Sequence, residues 1–268
     1  MRERIRKCLL ERFCVRSESM KALITGASSG IGRDMARILS VMGYETILIA
    51  RREDRLKELQ KELNTSSEII CADVSNVSEC KRIYEQVKNQ DIDVVINNAG
   101  FGIFGEFTKI DLDKELNMID VNIKAVDILT KLFLMDFKKK NKGYILNVAS
   151  SAAFLPGPLL SSYYASKAYV LRLTEAIYEE LRREKSNVYV GVLCPGPVDT
   201  EFNDVASVKF SLKGLTSSYV AKYAIDKMFK RKLVIVPGKI MKCARFFSKI
   251  TPTKLLLKIA YNQQKKKC

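Results

Sequence analysis

What most constrains this chain is an alternation: seven short apolar runs, each separated from the next by a segment of helical period. The runs are "ALIT" (22–25), "ETILIA" (45–50), "EIICA" (68–72), "IDVVIN" (92–97), "GYILNVA" (143–149), "VYVGVLC" (188–194) and "LVIVP" (233–237). Between them, segments such as "RLKELQKEL" and "SECKRIYEQV" repeat apolar residues every three to four positions, as amphipathic helices do. A strand that is apolar at consecutive positions must be covered on both faces, and strand–helix–strand alternation covers it with helices. The expected fold is therefore α/β, with a seven-stranded, doubly wound parallel sheet in a single domain. At 268 residues, 47% hydrophobic and 28% charged, the chain is large enough to bury one such core. Ligands of such folds sit at the carboxyl ends of the strands.

The first strand runs into "TGASSGIG", residues 25–32, with Gly26, Gly30 and Gly32 spaced G-x-x-x-G-x-G. This spacing differs from G-x-G-x-x-G, and the lysine of a P-loop is missing. Glycines at a strand-to-helix turn admit left-handed dihedrals and let backbone N–H groups and the helix N-terminus approach a pyrophosphate, as in Rossmann-type folds. A tight packing turn would look the same in isolation. The second strand ends at Ala50, followed by Arg51 and Arg52, where a cofactor with free ribose hydroxyls usually meets Asp or Glu. Positive charge just before a helix opposes its dipole, whereas Glu53 and Asp54 in the first turn suit it. Two arginines there favour a 2′-phosphate, and so NADP over NAD, against the alternative of a solvent-facing pair.

Seven stretches in order, "TGASSGIG", "ADVS" (72–75), "NNAG" (97–100), "VN" (121–122), "NVASS" (147–151), "YYASK" (163–167) and "CPGPVDT" (194–200), resemble the pattern of the short-chain dehydrogenases/reductases over roughly residues 20–200. The resemblance implies a Rossmann-type fold with Gly26, Ser28, Gly30 and Ile31 along the cofactor's phosphate and ribose. It implies Asp73 at the adenine amino group, with a helix N-cap as its structural alternative. It puts Asn97, Asn98, Ala99 and Gly100 behind the adenosine ribose, and Pro195, Gly196, Val198 and Thr200 beside the nicotinamide. The expected chemistry is hydride transfer between NADP(H) and a carbonyl or secondary alcohol, in a homodimer or homotetramer.

The chain contains no histidine, so proton transfer needs another group. In a helix beginning near Ser161, Tyr163 is i,i+4 and Tyr164 i,i+3 to Lys167, and helix geometry does not choose between them. The resemblance does choose: its Y-x-x-x-K pattern, with a serine 13 residues earlier, matches Ser150, Tyr163 and Lys167. It assigns Tyr163 as acid/base, Lys167 as its partner and ribose holder, Ser150 as the group orienting the carbonyl, and Asn122 as a water-positioning fourth member. Ser151, Ser161 and Ser162 then fall to caps and turns. A neighbouring ammonium and the oxidised nicotinamide would both favour the phenolate. Hydroxyl groups polarise the carbonyl in this scheme, so no metal is implied.

Phe101, Phe104 and Phe107 follow the "NNAG" stretch, and Phe154, Leu155, Leu159 and Leu160 follow Ser150. They belong either to an apolar substrate cleft or to the core. Residues 201–216 occupy the place of a substrate lid. From Val205 to Cys268 sixteen Lys and Arg face one acid, Asp226, whereas the preceding residues carry 30 basic and 29 acidic groups. The catalytic domain is expected at 20–236, followed by a basic amphipathic tail, 237–268, that would touch a membrane surface, cover the cleft or dock on another subunit. No nucleic-acid role is expected. Residues 1–19 have no secretory signal core, and Met20 opens "MKALITG", so an extension outside the domain or an upstream start is expected. Seven scattered cysteines without metal spacing suit reduced thiols in the cytoplasm. Two other function classes stay open: a cofactor sensor or scaffold with little turnover, and a membrane-surface protein acting through its tail.

Overall fold

The computed structural model describes residues 20–202 and 214–265. The N-terminal extension, the middle of the expected lid (203–213) and the last three residues lie outside these.

Seven parallel strands form the central sheet: β1 (Lys21–Thr25), β2 (Glu45–Ala50), β3 (Ser67–Cys71), β4 (Ile92–Asn97), β5 (Tyr144–Val148), β6 (Tyr189–Leu193) and β9 (Val234–Ile235). Their order is β3-β2-β1-β4-β5-β6-β9. The chain leaves β1 toward β2 on one side and returns to β4 on the other, so the strand order reverses between β1 and β4. That reversal opens a crevice beyond their carboxyl ends. A two-stranded parallel ribbon, β7 (Val198–Asp199) with β8 (Leu215–Thr216), lies outside the main sheet.

The helices are α1 (Gly30–Val41), α2 (Glu53–Glu62), α3 (Val77–Val87), α4 (Leu112–Ile119), α5 (Ala125–Lys140), α6 (Ser161–Arg183), α7 (Ser217–Phe229), α8 (Lys239–Ile250) and α9 (Thr253–Lys265). A π-helical turn, Asp120–Lys124, joins α4 to α5. Successive strand residues serve opposite layers. Ala22, Ile24 and Leu48 pack with Met35 and Leu39 of α1, Leu56 of α2 and Met228 of α7. Leu23, Ile47 and Ile49 pack with Ile83 of α3 and with Leu129, Phe133 and Phe137 of α5. This two-sided burial is why the strand sequences lack alternation. It leaves the loops after β1, β2, β4, β5 and β6 free to converge at one edge.

Candidate active site

At that edge lies a cleft of about 1160 Å³. Its floor begins where β1 ends. Gly26 (φ +67°) and Gly30 (φ +54°) adopt left-handed backbone, and a Cβ on Gly26 would fall 2.9 Å from the Ala99 Cα. Thr25 Oγ1 accepts from the amides of Asn98 (3.0 Å) and Ala99 (3.1 Å), while Asn98 Nδ2 donates to the carbonyls of Thr25 and Gly26. These bonds tie the loop after β4 to the loop after β1. Ser29 occupies the cap position of α1, whose first turn holds no acidic residue, so the positive end of the helix opens at the cleft with the Glu201 carboxylate near its cap.

At the end of β2 the two arginines diverge. Arg52 Nη2 donates to Ser28 Oγ (3.2 Å) and to Glu201 Oε2 (2.7 Å), spanning from the glycine turn to the segment after β7. These bonds hold the Glu201 carboxyl below its usual range, with burial opposing and Ser29 adding a further hydrogen bond. Arg51 Nη1 lies 3.7 Å from Asp73 Oδ2. Asp73 Oδ1 accepts from the Ser75 amide, and Asn76 occupies the cap position of α3, so the N-cap alternative for Asp73 gives way to a turn three residues before the cap.

Ser150 follows β5, and Tyr163 and Lys167 lie one turn apart on α6, all lining the cleft. The Ala152 amide donates to Ser150 Oγ (3.1 Å), occupying a lone pair and leaving the serine proton free. The Ser150 hydroxyl beside the Tyr163 phenol lowers the tyrosine's pKa, against a larger upward push from burial. Lys167 Nζ donates to the Val148 carbonyl (3.1 Å) and stands 5.8 Å from the Tyr163 ring centroid. Burial lowers the Lys167 pKa to about 8.

Asn122 is fully buried in the π-helical turn and does not border the cleft. Its Nδ2 donates to the Phe101 carbonyl (2.9 Å) and to Ser166 Oγ (3.0 Å), and its Oδ1 accepts from the Phe101 amide (3.1 Å). Both amide protons are used, which leaves only its oxygen atoms for holding a water. A Cβ on Gly100 would fall 2.9 Å from Asn122 Oδ1 and 3.0 Å from Lys167 Nζ, so only glycine fits between them.

The other expected cofactor residues, Ser28, Ile31, Pro195, Gly196, Val198 and Thr200, also line the cleft. Of the candidate apolar walls, Phe101, Phe154, Leu155 and Leu160 reach it, whereas Phe104, Phe107 and Leu159 do not, and Phe107 is exposed. Ser151 begins a short 3₁₀ turn, and Ser161 and Ser162 open α6, where Ser162 donates to the buried Glu115 carboxylate.

Covering the cleft was one of the three expectations for the C-terminal tail, and its two helices supply walls whose residues the sequence did not name. Met241 of α8 stands against Gly196, where a Cβ would fall 2.6 Å from its Cγ. From α9, Leu256, Ile259, Ala260 and Gln264 close the far side. The buried Gln264 amide donates to the Tyr164 hydroxyl, while Tyr164 packs on Gly157. The two tyrosines thus part company: Tyr163 meets Ser150, and Tyr164 anchors α9. The i,i+3 and i,i+4 spacing of 256, 259, 260 and 264 was the available signal.

A sequence profile described as short chain dehydrogenase matches residues 20–210. The chain belongs to the short-chain dehydrogenase family. This short-chain dehydrogenase is 35% identical over 185 residues to an uncharacterised oxidoreductase of Staphylococcus epidermidis, covering 68% of the chain and 80% of that relative. Human 17-beta-hydroxysteroid dehydrogenase type 3 is 30% identical over 243 residues, 88% of the chain and 74% of that enzyme. Among solved structures, a short-chain dehydrogenase from Sphingobium yanoikuyae in complex with NADPH matches with a TM-score of 0.76 at 28% identity, covering 82% of this chain and 88% of that one. The short-chain dehydrogenase described here is thus an oxidoreductase of a family that uses nicotinamide cofactors.

Proposed function

We propose that the chain is an NADP(H)-dependent oxidoreductase that interconverts an apolar ketone and its secondary alcohol, with Tyr163 as general acid/base. The observation that carries this reading is that Ser150, Tyr163 and the buried Lys167 line one wall of the cleft, with Lys167 Nζ 5.8 Å from the Tyr163 ring centroid. The cleft fits a dinucleotide on its own geometry. Gly26 and Gly30 let the turn after β1 close on Ala99 and Thr200 with left-handed backbone, and the α1 N-terminus at its end carries no acidic residue in its own first turn. Arg52, already holding the Glu201 carboxylate and Ser28, supports a phosphate over a free ribose hydroxyl.

When bound, the dinucleotide supplies the hydride for reduction or accepts it in oxidation. In reduction, Tyr163 holds its proton until the carbonyl oxygen gains charge and then donates it from Oη. Ser150, oriented by the Ala152 amide, turns its hydroxyl proton to the same oxygen. The Lys167 ammonium favours the phenolate that remains and thereby supports the transfer in both directions. Asn122 holds Phe101 and Ser166 in register with this group. Phe101, Phe154, Leu155, Leu160, Met241 and Leu256 support an apolar substrate body, as does kinship with an enzyme named for hydroxysteroids.

Following NADPH absorbance with a panel of hydrophobic ketones tests the reading. Turnover of one or more is expected. NADPH binding with no turnover across a broad panel would favour the sensor or scaffold alternative.

A further inference from the structure

Helices α8 and α9 each carry two unlike faces. The inner face, with Met241, Ala244, Leu256 and Gln264, walls the cleft. On the outer side of α8, Ile240, Phe247 and Ile250 recur at i, i+7 and i+10 and are 68%, 58% and 62% exposed. On α9, Leu257 and Tyr261 are exposed at i,i+4, beside the exposed Lys254, Lys258 and Lys265. Residues 237–268 contain nine Lys and Arg and neither Asp nor Glu. Their outer face therefore suits a partner that is both apolar and anionic. A second copy set face to face would bring like charges together with no acid from either tail to offset them. An anionic bilayer answers both requirements: acyl chains receive the apolar side chains while headgroups attract the lysines. No helix among the described residues is long and apolar enough to cross a membrane.

We propose that the outer face of α8 and α9 docks peripherally on an anionic lipid surface, setting the cleft they wall against the bilayer so that an apolar ketone enters from lipid. The docking rests on the two helices alone, and the entry of substrate rests on the reductase activity proposed above.

The test is flotation of the full chain with vesicles of phosphatidylcholine, alone or mixed in equal parts with phosphatidylglycerol. The wild type is expected to bind the anionic vesicles at least about tenfold better, and added salt to weaken that binding. Phe247→Glu combined with Leu257→Glu is expected to reduce it about tenfold while leaving turnover of a water-soluble ketone, without vesicles, unchanged. A wild type that stays in the aqueous fraction, or a double variant that floats equally well, overturns the docking. So does a double variant whose mass in solution changes while its vesicle binding does not, because a second copy then covers the face. Anionic vesicles should also speed turnover of a lipid-dissolved ketone by the wild type; equal stimulation of the double variant overturns entry from lipid. Flotation without turnover of any ketone upholds the docking and removes the reductase reading.

Discussion

Two adjacent tyrosines divide the work at the active edge, and the division is measurable. Tyr163 meets the Ser150 hydroxyl, whereas Tyr164 turns toward Gly157 and receives the Gln264 amide proton. Tyr163→Phe should lower kcat by about 10²–10⁴-fold, the range for loss of a positioned acid, with NADPH binding preserved. Tyr164→Phe should keep kcat within about threefold yet lower unfolding stability by about 1–3 kcal/mol, because the buried Gln264 amide loses its partner. Steady-state kinetics and urea unfolding on both variants check this, and a reversed pattern means the wrong ring was assigned. A second prediction concerns pH. Lys167 has its pKa lowered to about 8 by burial, so it is charged below that pH and neutral above it. The charge supports the developing phenolate, so kcat/KM for NADPH, which reports the free enzyme, should fall as pH rises through about 8. An active Lys167→Arg variant would keep its charge to far higher pH, and the limb near 8 should vanish from its profile.

At the scale of elements, the proposed preference for NADP rests on the turn from β2 into α2 and on a contact the sequence could not display. Arg52 is bound to Glu201, 149 positions away, on the segment that follows β7. The Glu201 carboxylate is an anion already seated on the arginine, and a 2′-phosphate using that guanidinium must displace it. Arg52→Ala should weaken NADPH binding by about 10–100-fold, the worth of a charged hydrogen bond, and leave NADH binding nearly unchanged. Glu201→Gln should tighten NADPH binding up to about fivefold, since exposed ion pairs are worth little. Fluorescence titration with both cofactors reads these effects, and equal losses for NADPH and NADH on Arg52→Ala remove the phosphate from the argument. Local signals made all seven main strands legible, because each needs a consecutive apolar run. The β7–β8 ribbon was not legible: two residues per strand leave no periodicity. Nor were the cleft walls Met241 and Gln264, because amphipathic spacing names a face without naming its partner. Asn122 lies in a π-helical turn whose extra residue per turn breaks the helical register from which its direction would be read.

For the whole molecule, loops from opposite halves of the sheet meet across the cleft, and a ligand filling it should stabilise the entire domain. The bonds joining Thr25 to Asn98 and Ala99, and Arg52 to Glu201, are among the ties across it. A cofactor that binds only the folded chain stabilises it by mass action, by about 2.7 kcal/mol at a hundred times its Kd. In a domain of this size each kcal/mol is worth about 2–4 °C, so NADPH at that excess should raise Tm by about 5–10 °C. NADH at the same concentration should give a distinctly smaller rise, because it lacks the phosphate that competes with Glu201 for Arg52. Added salt should narrow the gap by screening the arginine, whose side chain is 45% exposed. Differential scanning fluorimetry at matched concentrations measures both shifts. Equal shifts with a salt-independent gap of zero would mean that the glycine turn and the α1 N-terminus carry the binding, and that the arginines after β2 serve the ion pairs with Glu201 and Asp73 alone.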